Sequence, residues 1–332
     1  MTSLFINLLT WINKIVGNYG WSIVVFTLVI RLVLLPLDIK SKKSMRAISK
    51  IQPKLQALQK KYANDKDKLN QKTMELYRKE HVSPTSGCLP MLISLPILWI
   101  MFSAMRTLGN EYTIQMILDM KNTGELPTLQ NWLWIKNVFQ PDSFAATILP
   151  AVNSTLSIIR PANGSAILTA ENIAAAVEYL KSTEYSALAS QLMPASAFSV
   201  VTLNLLFVRP TLMLPNSLAN LFQYGNGLFI LPLLAGASQF LMTKIMNGKQ
   251  TPEQKEQAQQ SAAEQSNPMN SPVMKWFFPI FSVWICATSN AAFSIYWMAA
   301  NVIQIVQQLA VNYWFERQDA KEAAAAQDTD DR

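Results

Sequence analysis

The chain has 332 residues, half of them hydrophobic and only 15% charged, with a formal net charge of +7. That balance leaves room for several membrane spans plus modest soluble parts, and it excludes an ordinary soluble domain, whose apolar helices carry periodic polar residues. With one histidine, His81, and two cysteines, Cys88 and Cys286, expected near opposite membrane faces, it also argues against a metal centre and a disulfide framework.

Residues 3–16 place Leu4, Phe5, Leu8, Leu9, Ile12, Ile15 and Val16 at helical spacing, as in an amphipathic helix lying in a membrane interface. The segment lacks a charged n-region and a small-residue cleavage site, so it is expected to be uncleaved, with 1–20 forming an outer interfacial element. Residues 21–39, WSIVVFTLVIRLVLLPLDI, are the first predicted span, long enough at about 1.5 Å per residue to cross a hydrocarbon core roughly 30 Å thick. Arg31 stands eleventh in it, near the midplane. An arginine there costs about 3 kcal/mol or more and is functional by default, with a partner to be found. The other apolar stretches, 88–105, 227–245 and 273–315, contain no Asp or Glu. Arg31 therefore lines a wet cavity, is held by neutral polar groups, or awaits an acid brought by another molecule.

Residues 40–87 hold 13 Lys/Arg and 4 Asp/Glu, a net +9, which marks them as cytoplasmic. Ile48, Ile51, Leu55, Leu58 and Tyr62 recur at spacings of 3 and 4, the seam of an antiparallel helical hairpin that breaks at Asn64 and Asp65 and faces Leu69, Leu76 and Tyr77. Pro53 predicts an angle between this hairpin and the preceding span. Its basic outer face reads as a solvated surface beside anionic lipid rather than a nucleic-acid site. A second span follows at 88–106, broken by Pro90 and Pro96, and then a long extracytoplasmic region at 107–226 with 5 basic and 7 acidic residues. One helix is predicted there, at 170–193, capped by Thr169 and presenting Ile173, Val177, Leu180 and Leu188.

A third span is expected at 227–246, a polar cytoplasmic linker at 247–272, and two short spans at 273–290 and 291–315 that turn near Ser289 and Asn290. The tail, 316–332, has 3 basic and 6 acidic residues and reads as a disordered cytoplasmic end. The predicted architecture is an all-α integral membrane protein of five transmembrane helices around a polar groove, N-terminus outside and C-terminus inside. The last span places Trp297, Asn301, Gln304 and Gln308 at i, i+4, i+7 and i+11, on one helical face. Hydrogen bonding to neighbouring helices accounts for one or two such amides, and a full stripe less well. By residue count Arg31, Asn301, Ser238 and Gln239 share one depth, with Thr27 one turn from Arg31.

Assembled, these motifs resemble the YidC-type membrane protein insertases in their Gram-positive, five-span form. The matching residues are Gly20-Trp21-Ser22-Ile23 leading to Arg31 and Pro36, then Leu76-Tyr77, Pro84, Gly87-Cys88-Leu89-Pro90 and Pro96. Gly236 through Leu241, Met274, Pro279-Ile280-Phe281-Ser282, Tyr296-Trp297, Asn301 and Gln307-Gln308 complete them. The resemblance implies a bacterial plasma-membrane insertase, not an enzyme, that uses no nucleotide, cofactor or metal. Arg31 would be the groove charge that receives polar tails of nascent membrane proteins, Thr27 and Tyr296 substrate contacts, and Gln239, Asn301 and Gln304 groove lining. Partners implied are nascent chains, membrane lipid, the Sec translocon through the hairpin, and the ribosome. Three features depart from the pattern: Ser94 where many relatives have Gln, no cysteine near the N-terminus, and an acidic tail that argues against ribosome contact there.

The competing reading is an anion channel or transporter with Arg31 as the binding charge, which predicts internal repeats that the chain lacks. An intramembrane enzyme would need paired carboxylates, a metal motif or a nucleophile with its base, and the spans supply none.

Overall fold

The structure is a computed structural model that describes residues 2–81, 89–150, 159–162, 164–202, 211–246 and 272–330. Pro84, Cys88 and all but the last residue of the expected linker at 247–272 lie outside these ranges. The chain divides into two compact units, Val29–Ile100 and Met1–Leu28 with Met101–Arg332.

In the first unit the dominant element is α2 (Tyr19–Lys61), one continuous helix that enters it at Val29 and runs through both Pro36 and Pro53. The bend expected at Pro53 does not break it, because a proline removes one backbone bond and crowds one carbonyl while the turns on either side remain bonded. Along α2 the stretch Tyr19–Ile48 is long and apolar enough to cross a membrane by length and composition. Helix α3 (Lys66–Lys79) starts where the Asp65 carboxylate accepts from the Lys68 N–H at 3.0 Å. Ile51 is buried, and Leu55, Leu58, Tyr62, Leu69, Leu76 and Tyr77 are half-buried, as are a few polar residues such as Gln56 and Thr73.

An ion pair between the Lys54 ammonium and the Glu80 carboxylate, 2.5 Å, ties the far end of α3 back to α2. The hydrogen bond and charge of Lys54 hold the Glu80 carboxyl below the usual carboxylate range. A carboxyl depressed in the fold contributes above its ordinary range and is lost as pH falls through its lowered value. Acidification is therefore expected to loosen the end of the pair, and Glu80→Gln to remove the pH response. The distance between spin labels at positions 50 and 79 reads both.

The second unit opens with α1 (Thr2–Val16), whose Leu9 and Ile12 are buried while Leu4, Trp11 and Ile15 are more than half exposed. Ser22 ties α2 to it, its hydroxyl donating to Asn13 Oδ1 at 3.0 Å. Helix α4 (Leu89–Thr123) continues past residue 106 to Thr123, and Ile114, Ile117 and Met120 on its last turns are buried. They form a core with Leu149, Ile159, Leu168, Ala176, Tyr179, Leu180 and Tyr185. Burying each such large apolar side chain is worth about 1.5–3 kcal/mol. The Tyr179 and Tyr185 hydroxyls satisfy themselves on the Met120 and Pro150 carbonyls.

The helix expected at 170–193 is two helices, α5 (Ala170–Leu180) and α6 (Thr183–Leu192). Thr169 caps the first at Asn172, and Ser182 restarts the chain by capping Tyr185. An interior hydroxyl that bonds the backbone ahead of it competes with helix continuation. Strands β1 (Phe198–Thr202) and β2 (Thr211–Pro215) pair antiparallel, Phe198 opposite Pro215, a small two-stranded addition to a chain that is otherwise mostly helical, as expected. Val200, Val201 and Thr202 are β-branched and favour the strand. A short helix, α7 (Leu218–Tyr224), follows.

Helix α8 (Ile230–Met246) packs along α9 (Pro272–Thr288) and α10 (Ala291–Asp330). Gly236 allows the approach, since a Cβ there would overlap Val283 of α9. The chain turns at Ser289 and Asn290. Contrary to the disordered tail expected at 316–332, α10 stays helical to Asp330, in keeping with the high propensity of its Ala, Glu and Gln run.

Candidate functional site

On α2 the burial pattern repeats with the helix. Arg31, Leu34, Leu35, Asp38, Ile39 and Lys42 are half-buried, whereas Leu32, Val33, Leu37 and Lys43 are exposed. One face therefore carries Arg31, Asp38 and Lys42 at i, i+7 and i+11. These three charges act on one another in the folded chain. The acid missing from the other apolar stretches is thus present on the arginine's own helix, and a search for partners in other spans passes over it. Thr27, in the other unit, is buried and its hydroxyl donates to the Ile23 carbonyl at 2.6 Å, a bond internal to the helix.

Across α8 and α10 the structure brings two predicted polar positions together. The Asn301 amide Nδ2 donates to Ser238 Oγ at 3.1 Å, and Ser238 Oγ donates in turn to the Ala235 carbonyl at 2.9 Å. Asn301 is only 7% exposed, so this relay satisfies an amide that would otherwise cost about 1–3 kcal/mol to bury. Gln239 is the next residue on α8, half-buried, with its carbonyl accepting from the Thr243 hydroxyl at 2.9 Å. Gln304 lies half-buried one turn beyond Asn301, and Gln308 donates to Asn312 at 2.9 Å along the same helix. Tyr296 is buried with its ring 6.3 Å from that of Phe293, and Trp297 packs on the same ring at 5.5 Å. The α10 stripe is therefore partly a helix–helix fastening and partly a row of half-buried amides.

A second polar cluster, missed by sequence reasoning, lies at the N-terminal ends of α8 and α10. The fully buried Asp142 accepts from the Leu228 and Phe229 N–H groups at 2.8 and 3.1 Å on Oδ1. Its Oδ2 accepts from the Leu231 N–H at 2.7 Å and the Trp134 indole at 3.3 Å. It thus caps α8 from a loop distant in the chain and complements the positive end of that helix. A Cβ at Gly227 would overlap this carboxylate. The same loop caps α10, whose Ala291 and Ala292 N–H groups donate to the Gln140 and Val138 carbonyls at 2.9 and 2.8 Å. Asn290 adds a side-chain cap, accepting from the Phe293 N–H at 3.0 Å and donating to the Met105 carbonyl of α4 at 3.0 Å. Asn226 closes the loop by donating to the Asn137 and Pro141 carbonyls and accepting the Asn137 N–H at 2.9 Å. No local signal marks Asp142 as a cap, because the three backbone N–H groups it serves lie more than 80 residues away.

Among the described residues no group of three His, Cys, Asp or Glu could hold a metal ion. A model of the family described as 60Kd inner membrane protein matches residues 11–208 and 199–319. The chain belongs to that family. Similar to it are three proteins each named membrane protein insertase YidC. The one from Fusobacterium nucleatum is 40% identical over 153 residues, 46% of this chain and 65% of that protein. The one from Legionella pneumophila (strain Corby) is 50% identical over 97 residues, 29% of this chain and 17% of that protein. The Bordetella petrii protein is 41% identical over 107 residues, 31% and 19%. The match thus spans 65% of the first, less than two thirds, and under a fifth of the others. The family description places its members in the inner membrane, in keeping with the apolar helix Tyr19–Ile48.

Proposed function

We propose that the chain is a membrane protein insertase that receives polar tails of nascent membrane proteins and releases their apolar spans into lipid, without nucleotide and without covalent chemistry. The observation that carries this reading is Arg31, a half-buried cation inside the helix long and apolar enough to cross a membrane, in a chain whose relatives bear the insertase name. An arginine at such a depth is worth its cost when it meets anionic groups that pass. Arg31 supplies the charge, and the half-buried Gln239 and Gln304 with the Asn301–Ser238 relay supply neutral polar surface. Thr27 and Tyr296 contribute contacts. Transfer of the substrate's apolar span is driven by removing it from water. An acidic tail gains about 2.3 kcal/mol per charge for each 100 mV it crosses toward the positive side.

In this reading the chain crosses the membrane five times, with residues 40–87 in the cytoplasm, and works alone or beside the Sec translocon. The test is site-directed photocrosslinking from positions 27, 31 and 296 to a ribosome-bound single-span membrane protein. Adducts are expected at all three while the nascent tail is short of release, and from none of the exposed positions of α3. Adducts with equal yield from α3 would overturn the assignment.

A further inference from the structure

The charged face of α2 holds more than its arginine. Arg31 and Asp38 are seven residues apart on an uninterrupted helix, two turns along one half-buried face, and Asp38 and Lys42 are an acid and a base at i and i+4. Seven residues at about 1.5 Å rise place Arg31 and Asp38 about 10 Å apart along the axis on the same face, near enough for their charges to be felt in a half-buried setting without contact. An acid four residues before a base is the favourable order for a pair, so Lys42 steadies the carboxylate from the other side. With Asp38 ionised, Arg31, Asp38 and Lys42 together carry a net charge of +1, and without it +2. The half-buried face also takes apolar residues, as Leu34, Leu35 and Ile39 show, so packing alone does not call for an acid at position 38.

We propose that Asp38 is a resident acid that competes with carboxylates of the incoming tail for Arg31 and thereby sets how acidic a tail must be to engage. This rests on the insertase reading and adds a specificity-determining residue to it. In the idle protein the carboxylate offsets the charge of Arg31, so neutral polar tails meet no strong field. A tail with two or more acids outcompetes the single fixed carboxylate, which stays with Lys42. A direct consequence is that Arg31→Ala removes an attraction and also leaves a repulsion.

The experiment uses the full chain in proteoliposomes and two substrates, a single-span protein whose tail carries two aspartates and the same protein with asparagines in their place. Insertion is read as protease-protected tail. Asp38→Asn, which keeps the side-chain shape, is expected to raise insertion of the aspartate tail about three- to tenfold at limiting protein, with the asparagine tail changed by less than about twofold. Arg31→Ala/Asp38→Asn is expected to recover at least about threefold over Arg31→Ala on the aspartate tail. Asp38→Thr, with an unchanged thermal midpoint, repeats the result without an amide. A merely structural Asp38 would shift both tails alike and give no rescue, and that outcome overturns the inference while the insertase reading stands. If Arg31→Ala alone leaves both tails unaffected, the charge-capture reading falls and the inference with it.

Discussion

Asp142→Ala is expected to destabilise the folded chain by about 3–5 kcal/mol. The substitution removes the acceptor for three backbone N–H groups at the start of α8 and for the Trp134 indole, all gathered on one carboxylate that is fully buried. Each donor left without a partner in a water-poor place costs about 1–3 kcal/mol, and the donors cannot all find new acceptors at once. The carboxylate also holds Phe229 in a left-handed conformation, φ 62°, that a bulky residue adopts at a cost of about 1–3 kcal/mol. Once released, that strain favours an opened turn at the head of α8. Asp142→Asn is a sharper test than it looks. Both oxygens accept, so an amide nitrogen at either place faces donors, and the variant should recover no more than about half of the loss. Thermal unfolding in mild detergent, followed by tryptophan fluorescence, measures both.

Arg31→Ala is expected to reduce insertion of substrates with acidic tails by about tenfold or more, equivalent to at least 1.4 kcal/mol of lost attraction. Two opposite charges about 4 Å apart in a partly shielded site attract by about 4 kcal/mol, so the figure allows for the water that such a site holds. Folding should survive, because Asp38 keeps Lys42 at i+4 as a partner. Arg31→Lys should retain most of the activity, since a point charge serves a mobile tail nearly as well as a fork. Complementation of cells depleted of their own insertase, with tails of graded acidity, gives the readout. Full insertion of every acidic tail by Arg31→Ala would remove the charge from the mechanism.

What could be read from the residues depended on how far apart the interacting groups lie. Thr169 before an apolar run announces its own cap, and the spacing from Ile51 to Tyr62 announces its own seam. The Asn301 stripe was legible as a face, and only coordinates show that its first amide is given to Ser238. Ser182 was passed over because a hydroxyl inside an apolar period looks like a solvated position until its bond to Tyr185 is seen. Asp38 was hidden differently: seven residues from Arg31, it looks like the boundary residue of a span and not the companion of a charge near its middle. Asp142 could not be found locally, since the N–H groups it serves belong to a helix that the chain reaches only after residues 143–225 have been built. Helical persistence along the tail shows the converse, local propensity prevailing where disorder was expected, whereas α2 continues through Pro53 against that residue's own propensity.

The bridge between Thr147 and Gly225, together with the Asn137–Asn226 bonds, fastens the two ends of the intervening segment to each other. Ile114, Ile117 and Met120 of α4 share one core with Leu149, Leu168, Tyr179 and Tyr185 of that segment, so helix and segment are stabilised together. A chain shortened by that segment would leave those three apolar side chains uncovered and would need polar ones in their place to avoid sticking to its neighbours.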